Sequence, residues 1–161
     1  MGERKIGLQP VVFSDSRLLI LGSFPSVKSR ETQFYYGHKQ NRFWKVVCGY
    51  FHEEIPTEKG EKIAFLKRRK IALWDMVMEC EIDGSADSTV RQMRVADLDQ
   101  VFQIAKIERI LLNGKLAYDL FCERYTNVEI PYEKMPSTSP ANPRFDEKIW
   151  RRALNDVFGI S

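Results

Sequence analysis

The stretch LLILGSFPS, residues 18–26, decides the fold, because four apolar residues run directly into a turn that contains glycine and proline. A short apolar run with such a boundary is typical of a strand buried on both faces of a parallel sheet. Three further runs have the same character, and they span residues 71–74, 107–112 and 128–135. The sequence therefore predicts four buried parallel strands.

Longer amphipathic stretches separate these runs and predict helices. They comprise residues 43–51, 58–69, 95–105, 114–125 and 146–159. Strands that alternate with helices imply right-handed crossovers, and hence a parallel sheet that is covered on both faces. We therefore predict an α/β fold, a three-layer α/β/α sandwich around a central four-stranded, mostly parallel sheet.

Length and composition predict one domain over residues 1–161. A chain of 161 residues with 43% hydrophobic residues can bury an ordinary core. The net charge of +3 is compatible with a polyanionic partner but does not require one. The three cysteines lie far apart and outside CxxC pairs, and no apolar run approaches the roughly 20 residues of a membrane span. We expect a cytoplasmic, monomeric protein without a membrane partner.

Polar residues follow the predicted strands at the edge where such sheets form their ligand crevice. They are the Gly22 turn, Asp75, Asn113 and the hydroxyl-rich segment PSTSPAN, residues 136–142. Residues 34–36 are three consecutive aromatics, which we expect to be exposed in a loop. The sequence thus predicts one cleft that offers a carboxylate, an amide, hydroxyl groups and aromatic rings.

The segments around this cleft resemble the motifs of the uracil-DNA glycosylase superfamily. GSFP (22–25) is similar to its glycine-x-x-proline turn, HKQNRFW (38–44) to its H-x-x-N-R-F-W signature, and PSTSPAN to its Pro-Ser loop. Together with YYGHKQN (35–41) they most resemble the hypoxanthine-DNA glycosylase branch. The resemblance implies a DNA base-excision repair enzyme that flips a deaminated base, above all hypoxanthine, out of double-stranded DNA and hydrolyses its N-glycosidic bond.

The first motif departs from the family pattern at a catalytic position. Most of the superfamily orients the attacking water with an Asp or Asn immediately before the turn proline, where this chain has Phe24. We assign Phe24 to the base-binding site. The hypoxanthine branch shares this absence, and the resemblance implies that Asn41 orients the water instead. Alternatively, Asn41 caps the helix that follows it, and one residue can do both.

Three residues besides Phe24 are candidates for binding the flipped base. The resemblance places Tyr36 where the family stacks an aromatic ring on the base, which recovers part of the cost of flipping; the alternative is that Tyr36 only packs its loop. Asp75 can accept the N1–H of hypoxanthine, which adenine lacks, or it can cap a turn. Asn113 is a weaker candidate because Asn-Gly is an ordinary turn signal. For His38 we favour a hydrogen bond within its loop.

PSTSPAN and the residues after it are the candidates for binding DNA. Ser137 and Ser139 have backbone and hydroxyl donors suited to phosphate. The uracil enzymes carry a histidine before this proline and an intercalating leucine in the loop, where this chain has Met135 and Ser139. We therefore list Asn142 and Arg144 as residues that could fill the space left by the flipped base.

The absence of two kinds of motif excludes several cofactors. No Cys/His spacing fits zinc or an iron–sulfur cluster, and no glycine-rich loop fits a nucleotide cofactor. We therefore predict hydrolysis without metal or cofactor. Three alternatives stay open: a mismatch-type uracil-DNA glycosylase, a catalytically weak DNA-binding relative, and an unrelated α/β enzyme that acts on a free nucleoside.

Overall fold

A computed structural model describes residues 3–24, 34–82 and 90–160, so Pro25 of the predicted turn lies outside the described residues. The strands are β1 Glu3–Ile6, β2 Leu18–Gly22, β3 Ile71–Asp75, β4 Val77–Ile82, β5 Val90–Val95, β6 Arg109–Asn113 and β7 Tyr132–Met135. The helices are α1 Phe43–Tyr50, α2 Lys59–Arg69, α3 Asp99–Phe102, α4 Lys115–Arg124 and α5 Glu147–Phe158.

The central sheet has four strands in the order β3-β2-β6-β7, and every neighbouring pair is parallel. All five residues of β2 and all five of β3 are buried, as expected of strands covered on both faces. Gly22 lies opposite Asp75, Leu21 opposite Leu112, and Asn113 opposite Met135. The carboxyl ends of the four strands therefore lie at one level.

Helices cover both faces of this sheet. The chain passes from β2 to β3 through α1 and α2, and from β6 to β7 through α4, in opposite directions along the sheet. Right-handed crossovers in opposite directions place their helices on opposite faces. Helix α5 follows β7 and packs against α1. The predicted three-layer α/β/α fold with a four-stranded parallel sheet is confirmed.

The prediction missed a second, antiparallel sheet of order β1-β4-β5. Strand β4 begins two residues after β3 ends, and it pairs with β1, where Glu3 lies opposite Ile82, and with β5, where Val77 lies opposite Val95. Met76 joins the two sheets, because its N–H donates to the Gly22 carbonyl at 2.7 Å and its carbonyl accepts from Ala96 N–H at 2.8 Å. This antiparallel sheet, called the antiparallel ribbon below, is therefore held against the carboxyl end of β2.

Two predicted elements are shorter than the pattern indicated. The helix expected over residues 95–105 is limited to α3, because the Tyr125 hydroxyl holds the start of this segment outside the helix. That hydroxyl accepts from Leu98 N–H at 3.0 Å and donates to the Ala96 carbonyl at 2.5 Å. The strand expected over residues 128–135 begins only at Tyr132.

The expectation that residues 34–36 form an exposed aromatic loop is wrong. Phe34 and Tyr35 are buried core residues. The Phe34 ring stacks on Trp44 with centroids 6.1 Å apart, and the Tyr35 hydroxyl donates to the Gln9 carbonyl at 2.6 Å. Tyr36 is partly buried and also packs against the core, so all three rings hold the loop on the domain.

Helix α5 has the ends that its sequence predicts. The Asp146 carboxylate accepts from Lys148 N–H at 2.9 Å, and Gly159 ends the helix with a φ of 62°, which glycine adopts without strain. Trp150, Ala153 and Leu154 form its buried face. None of the helices in the described part of the chain is long and apolar enough to cross a membrane.

Candidate active site

The candidate site lies at the carboxyl ends of β2, β3 and β6. The chain leaves β2 towards β3 on one side and later places β6 on the other side, so the order of the strands reverses between β2 and β6. Such a reversal opens a crevice beyond the strand ends. Gly22, Asp75 and Asn113 end these three strands, as the sequence predicted.

Asp75 is a buried carboxyl group at this edge, with 4% of its surface exposed. It receives a hydrogen bond from the Gly22 backbone, which lowers its pKa, but burial is the larger effect and raises the pKa to about 7. Its Oδ2 atom is buried and has no hydrogen-bond partner among the described residues. Asp75 therefore carries an acceptor atom that no described residue pairs, and burial moves the ionisation of its carboxyl group towards neutral pH.

Tyr36 is held next to this carboxyl group. Its ring stacks on Phe43, with centroids 4.1 Å apart and planes 20° apart, so that one ring face is already covered. Its hydroxyl oxygen is buried and has no hydrogen-bond partner in the part of the chain that the structure describes. Burial and the nearby charge of Asp75 raise the pKa of Tyr36, and the neighbouring Asn113 amide opposes this rise. The hydroxyl therefore stays protonated and is able to donate.

Gly22 allows these two groups to approach each other. A Cβ atom at Gly22 would lie 2.5 Å from Asp75 Oδ1 and 3.2 Å from the Tyr36 hydroxyl oxygen. A real Cβ would clash with the carboxylate, so any larger residue would displace Asp75. The glycine of the predicted turn is therefore required for the shape of the site.

Asn113 anchors the PSTSPAN loop. Its Nδ2 donates to Thr138 Oγ1 at 3.0 Å, and its Oδ1 accepts from Thr138 N–H at 3.0 Å. Both residues are buried. Gly114 has a φ of 101°, which lets the chain turn sharply directly after Asn113. The amide predicted to bind the base is thus engaged on both sides by the loop.

Arg42 joins the first motif to the same loop, a role that the sequence analysis did not assign. Its guanidinium Nη1 donates to the carbonyls of Ser139 at 3.2 Å and Asn142 at 2.9 Å, and its backbone N–H donates to the Thr138 carbonyl at 3.0 Å. The guanidinium carbon also lies 4.9 Å from the centre of the Phe145 ring. Its place in the H-x-x-N-R-F-W signature, directly after Asn41, was the available signal.

Asn41 lies at the start of α1. Its Oδ1 accepts from the N–H of Phe43 at 2.9 Å, so the side chain pairs a free N–H at the start of the helix, one residue before the N-cap residue Arg42. This contact fixes the direction of the amide group and leaves the second lone pair of Oδ1 for another donor. His38 Nδ1 accepts from Gln40 N–H at 3.0 Å, which is the hydrogen bond within the loop that we favoured.

The segment from Ser137 to Arg144 is a series of side-chain-supported turns. Ser137 Oγ accepts from Ser139 N–H at 3.1 Å, and Ser139 Oγ accepts from Ala141 N–H at 3.2 Å. The Asn142 amide donates to the Ser137 carbonyl at 2.9 Å and accepts from Arg144 N–H at 3.0 Å. The Arg144 side chain is exposed. The loop is thus rigid, and it presents two hydroxyl groups and a guanidinium group.

Among the predicted site residues, Phe24 has the least structural support for a role in base binding. The ring is half-buried and packs against the core, and its Cε1 lies 3.6 Å from the position of a Cβ atom at Gly7. Its assignment to the base site stays a prediction.

Comparison with known proteins identifies the family. The sequence profile of the uracil DNA glycosylase superfamily matches residues 10–157. The chain belongs to the uracil DNA glycosylase superfamily. This match confirms the predicted family and the predicted enzyme class, a DNA glycosylase.

Two relatives of this superfamily member are named hypoxanthine DNA glycosylase. The protein from Methanosarcina acetivorans is 31% identical over 145 residues, which are 89% of this chain and 91% of the relative. The protein from Methanosarcina barkeri is 30% identical over 114 residues, 70% of this chain and 72% of the relative. A solution NMR structure of a candidate uracil DNA glycosylase from M. acetivorans has a TM-score of 0.85 and 28% identity, and the alignment covers 97% of this chain and 99% of that one.

We expect Asn113→Ala to lower the free energy of unfolding of this glycosylase by about 2–3 kcal/mol, because both Thr138 groups lose their partner while buried. Chemical denaturation measures this change. In a double-mutant cycle with Thr138→Val, the two losses should be less than additive. If Asn113 reads the base instead, excision will fall while stability stays close to that of the wild type.

Proposed function

We propose that this protein is a monofunctional DNA glycosylase that releases hypoxanthine from deoxyinosine in double-stranded DNA. The observation that carries the proposal is the unpaired Oδ2 atom of the buried Asp75 at the strand-end crevice. Hypoxanthine offers a hydrogen-bond donor at N1, whereas adenine offers an acceptor there and would leave the carboxylate unpaired. The names of the two relatives support the same base.

Asn41 orients the attacking water in this proposal. Its Oδ1 is held by the Phe43 N–H and accepts a hydrogen bond from the attacking water through its second lone pair. The water oxygen bonds to C1′ of the sugar as the bond from C1′ to N9 breaks, and the base leaves with the bonding electron pair. The attacking water loses one proton to solvent, and the departing base takes one proton from solvent. An amide does not titrate, so this step does not depend on the protonation of Asn41.

The rigid loop holds the duplex. The Ser137 and Ser139 hydroxyl groups contact phosphate, which positions the DNA without reading its sequence. Both ends of the Asn142 amide form hydrogen bonds within the loop. We therefore assign the exposed Arg144, rather than Asn142, to the space that the flipped nucleotide leaves. We expect the enzyme to act as a cytoplasmic monomer and without metal or cofactor.

A panel of duplexes tests the substrate. Oligonucleotides with a single hypoxanthine, uracil, xanthine or ethenocytosine are incubated with the enzyme, and abasic sites are cleaved with alkali and quantified. We expect the highest rate with hypoxanthine. Faster release of uracil would indicate a mismatch-type uracil-DNA glycosylase. Binding of the duplex without release of a base would indicate a DNA-binding relative. Release of the base from free inosine would indicate an enzyme that acts on nucleosides.

A further inference from the structure

We propose that the Tyr36 hydroxyl group is a specificity-determining hydrogen-bond donor, and that it recognises the carbonyl oxygen of the flipped base while Asp75 accepts the neighbouring ring N–H. The inference rests on the proposed function, because it concerns the same base site. It assigns the hydroxyl group of Tyr36 to the base in place of its ring face, because a hydroxyl group in the ring plane cannot reach the edge of a base that is stacked on the same ring.

Two unpaired polar atoms carry this inference. The Tyr36 hydroxyl oxygen and Asp75 Oδ2 are the buried side-chain polar atoms that lack a hydrogen-bond partner in the described part of the chain. A buried polar atom without a partner destabilises a fold, so each such atom in a native protein requires an explanation. Here both belong to residues that meet at Gly22, since the hydroxyl oxygen and Asp75 Oδ1 lie within 3.2 Å of one point beside it.

The protein also holds the Tyr36 hydroxyl in a defined position. The ring is stacked on the buried Phe43, which limits its movement. The backbone of Tyr36 has a φ of 55°, in the left-handed region that residues other than glycine seldom adopt. Such strain persists where the surroundings fix it, and it is common at ligand sites. An unpaired hydroxyl group that is fixed in this way is preorganised for a ligand.

The pair is complementary to one pattern on a base. Tyr36 is protonated and donates, and the ionised Asp75 accepts. An N–H next to a C=O offers the matching acceptor and donor, as at N1 and C6 of hypoxanthine or N3 and C4 of uracil. Adenine presents an acceptor to Asp75 and lacks the carbonyl. Guanine shares the pattern, but its pair with cytosine makes it more costly to flip than a mispaired base.

The hydroxyl group also affects the rate in this arrangement. The departing base gains negative charge, part of which resides on its carbonyl oxygen. A preorganised donor at that oxygen stabilises the transition state more than the ground state. The hydrogen bond therefore contributes to the single-turnover rate as well as to binding.

Two neighbouring tyrosines provide a matched test. Tyr36→Phe removes an unpaired hydroxyl group and keeps the ring on Phe43, whereas Tyr35→Phe removes a hydroxyl group that donates to the Gln9 carbonyl. We expect Tyr36→Phe to lower single-turnover excision of deoxyinosine roughly 100-fold, with an unchanged or higher melting temperature. We expect Tyr35→Phe to lower the melting temperature and to keep the rate.

The outcomes separate the possible roles. If Tyr36→Phe excises deoxyinosine within threefold of the wild-type rate and only Tyr36→Leu loses activity, the ring acts and the proposal is wrong. Equal losses of rate and stability in both phenylalanine variants would also overturn it. If the wild-type enzyme does not release hypoxanthine but does release uracil, the proposed function fails, and the same two variants test the Tyr36 hydroxyl on uracil.

Discussion

Replacing Asn41 with alanine is expected to slow single-turnover excision of deoxyinosine by roughly 100-fold or more, the effect of losing one preorganised polar group. The affinity for DNA should change little, because the phosphate contacts that we propose come from the PSTSPAN loop. Folding stability should fall by about 1 kcal/mol, because Oδ1 no longer accepts from the Phe43 N–H. Quenched-flow excision and thermal unfolding of one variant measure both quantities.

Asp146→Ala is the matched control for the loss of a helix cap. The Asp146 carboxylate accepts from Lys148 N–H at the start of α5, far along the chain from the first motif. This variant should lose similar stability and keep its excision rate. Asn41→Ser should retain a cap and therefore stability, but its shorter side chain should still lose activity. A stable Asn41→Ala enzyme with near-normal excision would remove Asn41 from the mechanism.

The second large effect is expected for Asp75→Asn, which should lower excision of deoxyinosine about 100-fold or more. The amide oxygen of the new side chain would accept from the Gly22 backbone, which turns its NH₂ group towards the base. Two donors would then face each other at N1, and a mismatch of this kind in a buried site is discriminated strongly. Asp75→Glu serves as the control that keeps the charge. If both variants lose excision activity, the position of the carboxylate is required as well as its charge.

Asp75→Asn should at the same time stabilise the free protein. Burial raises the pKa of Asp75 from 3.8 to about 7, so its ionisation costs folding free energy as the pH rises through this range. The stability gained by the variant should be absent near pH 4 and should reach on the order of 4 kcal/mol above pH 7. Melting curves at several pH values test this; a variant that is equally or less stable at pH 8 would contradict the buried, unpaired carboxylate.

The wild-type rate should follow the ionisation of the same group. If the carboxylate accepts N1–H, kcat/KM rises with pH through about 7, the pKa of Asp75 in the free enzyme. The midpoint for kcat should lie lower, because a hydrogen bond from the base favours the charged form. Asp75→Asn should lack this transition.

The sequence was sufficient for β2, β3 and β6 because apolar runs of four to six residues identify strands that are buried on both faces. Strand β7, predicted from the longer segment 128–135, is partly exposed. The antiparallel ribbon was missed although β4 carries a signal. In VMECEI, residues 77–82, apolar residues recur at every second position, which is typical of a strand in an antiparallel sheet. Strand β1, with the sequence ERKI, has no such pattern, and its pairing with β4 depends on a long-range contact.

The location of the site was predictable, whereas the partners of its side chains were not. The carboxyl ends of parallel strands meet at one edge, and this placed Gly22, Asp75 and Asn113 together from their positions in the sequence. Whether a polar side chain at that edge forms a hydrogen bond within the protein depends on residues more than 20 positions away in the sequence. The hydrogen bond between Asn113 and Thr138 is an example. The burial of Tyr35 likewise depends on the distant carbonyl of Gln9.

The most direct test of the account is the analysis of the products that the wild-type enzyme forms from a duplex with one deoxyinosine, in the presence of a chelator. We predict that mass spectrometry detects free hypoxanthine and an intact strand with one abasic site, formed in equal amounts. Cleavage of the strand without alkali, a requirement for added metal, or an unchanged duplex after many hours at excess enzyme would contradict the proposed hydrolysis.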